Sequence, residues 1–575
     1  MKDILIYIKK YKKEAVLAPL FKMLEALFEL FIPLVVAAII DQGIGKKDTS
    51  LLLRMSLLLV ALAVIGLIFS ITAQYFASKA AVGTATSMRH FLFQHIQTFS
   101  YTEIDTLGTS TLITRMTSDI NQIQNAINLV LRLLLRSPFI VFGSMIMAFT
   151  IDVKAALVFV VTIPILSIVV FGVMLITKPL YKKVQNNLDQ ILRIMRENLS
   201  GVRVIRAFRQ EQREIKQFRE ANDSLTDAQK YVGRFSGLLN PLTYIIINAS
   251  IIILIWVGAI RVDSGVLTQG QLIALYNYMS QILVELIKLA NLIMSITKAL
   301  ACANRVSNIF EIKNNKEEGT IIEPVDYDYA VEFKNVSFQY SEAGEEALTG
   351  LSFQVKNGAT VGIIGGTGSG KSSLVNLIPG FYDVTDGEVL IKGSNVKEYT
   401  RDAINQIVSI VPQKAQLFAG SIRENLILGN KDATEEELYK ALEISQALEF
   451  VQEKEGKLDA IIEQGGKNLS GGQQQRLTIA RALVKGGDIL ILDDSASALD
   501  FATDAKLRKA IREMDAKPTV FIVSQRASTI LHADQIIVMD NGRIVGMGRH
   551  EELLTDCDIY QEIYFSQFER KAVNE

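Results

Sequence analysis

Six apolar segments constrain this chain more than any other feature. They lie at about 15–41, 51–76, 127–150, 155–177, 238–260 and 268–296. Each reaches the ~20 residues that a helix needs to cross the hydrocarbon core of a bilayer. Short connections, Asp41–Ser50, Ile151–Lys154 and Arg261–Leu267, alternate with long ones at about 77–126 and 178–237. Both long stretches are helical in pattern. The second is basic, with Lys178, Lys182, Lys183, Arg193, Arg196, Arg203, Arg206, Arg209 and Arg213. Lys9, Lys10, Lys12 and Lys13 precede the first segment. The excess of basic residues therefore puts the N-terminus and both long connections on the cytoplasmic side. The first segment is too long for a signal peptide and carries Lys22, Glu25 and Glu29, so no cleavage is expected.

Hydrophobic residues make up 49% of the chain, but the average conceals a change near residue 305, after which charge is dense and apolar runs are short. This pattern implies a membrane half joined to a water-soluble half. The formal net charge of -1 names no partner, and no nucleic-acid partner is expected. Cys302 and Cys557 are the only cysteines, and His90, His95, His532 and His550 lack metal-ligand spacing. No disulfide framework or metal cage is expected from these.

Each long connection has a break able to form a short transverse helix, at 101–115 around Gly108 and at 207–218 with Phe208, Ile215 and Phe218. Arg132, Arg136, Glu285 and Lys288 fall within spans. Such charges either mark a substrate path, pair with one another, or lie on hydrated helix ends. Pro33, Pro138, Pro164 and Pro241 also fall within spans. Ser137, Asn248, Asn277, Ser280, Gln281 and Glu285 are candidates to face a cavity.

From Val331 the pattern turns to strands. The apolar run Ala359–Ile364 feeds Gly365, Gly366, Thr367, Gly368, Ser369, Gly370, Lys371 and Ser372, and a helical run begins at Ser373. This is a complete G-x-x-x-x-G-K-[ST] loop in the strand–loop–helix setting that confirms it. Its glycines let backbone N–H groups curl around phosphates, Lys371 reaches the β- and γ-phosphates, and Ser372 takes Mg²⁺. A second apolar run, Ile489–Leu492, ends in Asp493, the expected carboxylate beside that Mg²⁺.

Between them stands Leu469, Ser470, Gly471, Gly472 and Gln473. This run resembles the signature motif of ATP-binding cassette (ABC) transporters, and the resemblance extends over essentially the whole chain. It implies that Tyr340 stacks on adenine, that Gln413 senses Mg²⁺ and the γ-phosphate, and that Ser497, Ala498, Leu499 and Asp500 form the loop crossing between paired cassettes. Gly265–Gly270 and the two cytoplasmic breaks resemble the exporter-type membrane domain. The implied fold is an all-α six-helix membrane domain fused to an α/β P-loop (RecA-like) cassette with a helical subdomain. The expected domains are 1–312 for the membrane part, 313–328 for a linker, 329–570 for the cassette and 571–575 for a tail.

The implied cofactors are ATP and Mg²⁺. Because one chain's phosphate loop shares ATP with another's signature, a second half-transporter is required. Closure of the cassettes would switch the bundle between inward and outward openings through the two cytoplasmic breaks. The implied location is the plasma (inner) membrane, and the implied cargo a hydrophobic or amphipathic small molecule, drug-like or lipid.

Two positions depart from the family pattern. Asp494 stands where the family has a Glu that orients the attacking water, and Gln525 where it has a His that contacts the γ-phosphate. Aspartate is one methylene shorter, and glutamine cannot relay a proton as imidazole can. The residues for binding nucleotide and for serving a partner's site remain. The expectation is therefore a heterodimer in which this chain's own site is hydrolytically impaired and the partner supplies the Glu and His. The alternatives are a homodimeric exporter with a slow Asp494 base, an importer built on an exporter-like fold, or a cassette-gated channel. A peptide exporter with a leader-cutting protease is not expected, for want of a Cys/His pair.

Overall fold

The computed structural model describes residues 6–312, 319–325, 327–340 and 344–568. The expected linker 313–328 lies partly, and the tail 571–575 wholly, outside the described residues. Two compact units are present, Met1–Gln97 with Ser110–Lys313, and Thr98–Thr109 with Asn314–Glu575.

Among the described residues, the first unit contains six helices long and apolar enough to cross a membrane: Ile6–Ile44, Thr49–Gln97, Thr109–Ile151, Val153–Ala207, Glu211–Asp263 and Gln269–Glu311. They run from 39 to 55 residues. At 1.5 Å per residue this is ~60 to 80 Å, twice or more the thickness of a hydrocarbon core. Turns between helices carry their own caps. Asp152 accepts from the Ala155 N–H at 2.8 Å and is paired with Arg261. Thr268 and Gln271 cap each other reciprocally at the start of the sixth helix. The outward faces are apolar: Val64, Ile68, Ile71, Ile168, Ile252 and Trp256 are all exposed. In water such surface would drive aggregation; in lipid it is matched to its solvent.

The two cytoplasmic breaks differ. The first holds a separate helix, Tyr101–Leu107, capped by Ser100 and Glu103 and stopped by Gly108 at φ 73°. The second has no separate helix. Val153–Ala207 ends, Arg209 turns the chain at φ 53°, and Glu211–Gly237 continues as one long helix. No glycine or proline interrupts Glu211–Val232, so nothing detaches 207–218 as an element of its own.

The third long helix is interrupted at Leu134–Leu135. Pro138 has no N–H to offer the Leu134 carbonyl, which opens the ladder there. Arg136 lies just past the break and is buried. It donates to Glu285 at 2.6 Å and to Glu29 at 2.6 Å, so it joins the first, third and sixth long helices. Glu285 also receives Ser137 at 2.7 Å and Lys288 at 2.8 Å. Arg136, Glu285 and Lys288 thus pair with one another, whereas Arg132 reaches Asn128, at 3.4 Å. Asn248 is exposed, and Asn277, Ser280 and Gln281 are half-buried.

In the second unit a six-stranded sheet runs in the order Arg543–Gly548, Gln535–Asp540, Thr360–Gly365, Thr519–Val523, Ile489–Asp493 and Val408–Val411. The first pairing is antiparallel and the other four are parallel. Apart from Thr360, Thr519 and the terminal Asp493, the three central strands are runs of apolar residues and glycine and almost wholly buried, as strands covered on both faces must be. In a four-stranded antiparallel sheet that includes Tyr329–Phe338, Phe333 stacks on Phe353 of the neighbouring strand at 4.5 Å. A helical subdomain has its own core, including Leu438, Leu442, Leu469 and Leu477. The architecture is a six-helix membrane domain fused to a P-loop cassette with a helical subdomain.

Candidate functional site

Three neighbouring parallel strands end at one edge of the sheet, and the segments that leave their carboxyl ends build the site. Thr360–Gly365 leads into the phosphate loop, Ile489–Asp493 into Asp494, and Thr519–Val523 into Ser524 and Gln525. The carboxyl edge of a parallel sheet is where such folds bind ligands. The result is a cavity of about 360 Å³ lined by Tyr340, Thr367, Gly368, Gly370, Lys371, Ser372, Ser373, Gln413, Asp493, Asp494 and Gln525, with Ala347 and Val523.

The loop needs its glycines. Gly368 and Gly370 have φ of 84° and 94°, open to glycine at no steric cost. A Cβ on Gly370 would stand 2.7 Å from the Leu348 side chain and 2.9 Å from the Ala347 carbonyl. Left-handed turns of this kind bring successive N–H groups into a concavity suited to anions. Lys371, almost fully buried, donates to the carbonyls of Gly365 at 3.0 Å and Gly366 at 2.6 Å. Burial holds its pKa below the usual lysine value, while Asp494 and Asp493 oppose that shift.

Ser372 donates to Asp493 Oδ1 at 3.0 Å. Gln413 shares the cavity with Asp494 and favours its ionised form. A hydroxyl, an amide carbonyl and a carboxylate are hard oxygen donors, the set that Mg²⁺ takes alongside phosphate oxygens. These residues fit ATP with Mg²⁺. Among the described residues no cluster of three or more His, Cys, Asp or Glu competes for a metal.

Burial pushes the Asp493 and Asp494 carboxyls above the ordinary aspartate value. Lys371 and Arg526 pull Asp494 back toward ionisation. Asp494 occupies a left-handed backbone conformation, φ 44°, which Asp tolerates better than most residues. Its N–H donates to the Val523 carbonyl at 3.1 Å and its carbonyl accepts from Ser497 Oγ at 2.8 Å.

Leu469–Gln473 and Ser497–Asp500 do not line this cavity. Ser470 caps the helix Gly471–Lys485, trading hydrogen bonds with Gln473. Leu469 is buried in the helical subdomain and anchors that start. Gly472 faces the Ala498 carbonyl closely enough that a Cβ would meet it at 3.2 Å. Asp500 caps Phe501–Arg512, accepting from Thr503 N at 2.9 Å. The signature and the crossing loop are therefore contiguous with each other, apart from the chain's own phosphate loop.

One residue of this region escapes motif reading. Arg526 stands next to Gln525, donates to the carbonyls of Leu499 and Ser497 at 3.3 Å each, and lies 4.8 Å over the Phe501 ring. It ties the segment after Thr519–Val523 to the crossing loop. Its one signal in the sequence is its place beside Gln525.

The family described as ABC transporter transmembrane region matches residues 16–286, and that described as ABC transporter matches residues 348–497. An uncharacterized ABC transporter ATP-binding protein of Mycobacterium tuberculosis (strain ATCC 25618 / H37Rv) is 36% identical over 568 residues, covering 98% of this chain and 97% of the relative. An ATP-dependent lipid A-core flippase of Mannheimia succiniciproducens is 31% identical over 534 residues, 92% of this chain and 91% of the relative. A bacterial Atm1-family ABC exporter with ATP bound superposes with a TM-score of 0.79, at 22% identity, over 98% of this chain and 99% of that one.

Proposed function

Because this chain belongs to the ABC transporter family, as a membrane region fused to its cassette, we propose that it exports hydrophobic or lipid-like amphiphiles across the plasma membrane at the expense of ATP. The carrying observation is the cavity that gathers Tyr340, Lys371, Ser372, Gln413 and Asp493 at the carboxyl edge of the sheet. Bound ATP would supply the phosphoanhydride whose cleavage resets the cycle. Lys371 and the loop N–H groups would hold the phosphates, Ser372 and Asp493 would hold Mg²⁺, and Asp494 would orient water. The flippase likeness supports a lipid-like cargo, and the apolar exterior of the six helices supports a bilayer setting.

The signature lies outside the chain's own cavity, so a complete site takes two chains. Two copies suffice, because one chain carries both a phosphate loop and a signature. This favours the homodimer with a slow Asp494 base over the heterodimer expected from the sequence. A specific observation supports the heterodimer as the second reading: Asp494 and Gln525 together line the cavity where longer-reaching Glu and proton-relaying His are the family pattern.

The test is to purify the full chain, measure its mass in lipid nanodiscs and its ATPase rate, and compare Asp494→Asn. A dimer whose turnover disappears in Asp494→Asn supports the homodimer. A monomer, or a dimer with only background turnover that Asp494→Asn leaves unchanged, selects the heterodimer. In inside-out vesicles, ATP-dependent accumulation of a fluorescent phospholipid analogue is expected, and ATP-dependent loss would overturn export.

A further inference from the structure

Tyr382 has no role in the site as described, yet it joins two parts of it. It lies in Pro379-Gly380-Phe381-Tyr382, just beyond the phosphate-loop helix Lys371–Leu377. Its ring meets Tyr340 edge to face, with centroids 5.3 Å apart at 80°. Phe338 supports both rings, 4.7 Å from Tyr340 and 5.5 Å from Tyr382. The Tyr382 hydroxyl donates to Asp105 Oδ2 at 2.6 Å. Asp105 sits on the helix Tyr101–Leu107, which comes from the first long cytoplasmic connection and belongs with the cassette's compact unit. That helix is held at two further points. Tyr101 stacks on Phe381 at 4.3 Å, and Arg401 donates to the Thr98 carbonyl at 3.2 Å.

Each link in this chain resists displacement. A hydroxyl donating to a carboxylate makes a short, charge-assisted bond. Burial and the adjacent Asp105 push the Tyr382 phenol far above its ordinary value, so it remains a donor at physiological pH. Tyr340 is fixed at its hydroxyl by Ser373 Oγ at 3.0 Å, one residue from the Mg²⁺ ligand Ser372. A base stacked on Tyr340 therefore presses on a ring that is tied to the phosphate loop on one side and leans on Tyr382 on the other.

We propose that Tyr382 is a positioning residue that couples base occupancy at Tyr340 to the helix Tyr101–Leu107, so that this helix registers a purine nucleotide and not merely a polyphosphate. The inference rests on the nucleotide reading of the site and is independent of cargo and direction. Coupling is reciprocal, so Asp105 equally sets the plane of the adenine platform.

Amide hydrogen exchange on the full chain in nanodiscs tests this, with Mg-ATP and Mg-tripolyphosphate as the two probes. In the unsubstituted chain, ATP protects both Lys371–Leu377 and Tyr101–Leu107, whereas tripolyphosphate protects only the former. In Tyr382→Phe, which keeps the ring, ATP still protects Lys371–Leu377, but protection of Tyr101–Leu107 falls by about five-fold, the low end of ordinary coupling between sites. The KM for ATP rises by a similar factor with little change in kcat. Asp105→Asn keeps an acceptor and retains more protection than Asp105→Ala. Undiminished protection of Tyr101–Leu107 in Tyr382→Phe overturns the relay, as does equal protection by tripolyphosphate in the unsubstituted chain. If ATP fails to protect Lys371–Leu377 in the unsubstituted chain, the nucleotide reading falls and the relay with it.

Discussion

Replacing Arg136 by Leu removes the residue that joins three long helices. Both Arg136 and Glu285 are buried, with side chains 7% and 4% exposed, so neither charge finds water when its partner is lost. Removing one member of a buried pair typically costs about 3–5 kcal/mol, mostly from the charge left behind. Glu285 keeps Lys288 at 2.8 Å and Ser137 at 2.7 Å, and Glu29 is one-third exposed. The residual charge is thus partly compensated, and the expected loss sits near the lower figure, about 3 kcal/mol. Replacing Glu285 by Gln as well leaves no uncompensated carboxylate at that position, so the double variant should recover about 1–2 kcal/mol relative to the sum of the singles. The assay is denaturant unfolding of the full chain in mixed micelles, as a double-mutant cycle. A coupling energy within about 0.5 kcal/mol of zero would refute the reasoning. It would mean that the pair is solvated and that the break at Pro138 admits water to Arg136.

Asp494→Glu lengthens the carboxylate by one methylene. A misplacement of ~1 Å costs on the order of 10²-fold, so ATPase turnover should rise ten-fold or more, to about that limit, if reach limits the rate. An unchanged rate in a chain that forms homodimers would show that reach is not limiting. Burial raises the Asp494 carboxyl, so the acid limb of the ATPase pH profile should lie above the ordinary Asp value of 3.8 and move in Asp494→Glu; a limb that stays put belongs to another group. His550, whose Nδ1 meets Tyr560 Oη at 2.8 Å, is held below its ordinary value of 6.5 by burial and by His532, against Glu551. Its contribution to stability is complete above that value and is lost as pH falls through it toward the folded value. The thermal midpoint should decline on acidification below about pH 6.5, and His550→Gln should flatten the decline.

How much of this is legible in the sequence depends on whether local or distant chemistry sets the feature. The six helices announce themselves because each must bury its apolar length in lipid whatever its neighbours do. The phosphate loop is equally legible, since one short segment supplies its glycines, lysine and serine. The pairing of Arg136 with Glu29 and Glu285 is not, because the partners are 107 and 149 residues away. The sequence leaves Arg136 as a path residue, a paired charge or a hydrated one, and only packing distinguishes these. The second cytoplasmic break misleads for a related reason. Phe208, Ile215 and Phe218 suggest a detached face, yet a single left-handed residue, Arg209, turns the chain and the next helix then continues without interruption. Arg526 and Tyr382 belong to no pattern of residue types at fixed spacing, and their partners are brought close only by the sheet and the helix packed beside it.

The departures at Asp494 and Gln525 have different physical weight, and the structure orders them. Asp494 is anchored at both ends of its peptide, by Val523 and Ser497, in a left-handed backbone conformation that Asp adopts more readily than most residues. The site thus holds a short carboxylate firmly; burial opposes its charge, and Lys371, Arg526 and Gln413 favour it. Gln525, by contrast, sits in a bend two residues past the strand Thr519–Val523, its carbonyl accepting from Gln567 Nε2 at 2.8 Å and its neighbour Arg526 clamped on the crossing loop. A His at 525 would inherit the same backbone with no new strain. Gln525→His alone should therefore act on proton transfer without disturbing Asp494. If the rates of Asp494→Glu and Gln525→His multiply in the double variant, base reach and γ-phosphate contact are separate defects. If either substitution alone recovers nearly all that the pair recovers, the two residues act as one unit on the same phosphate.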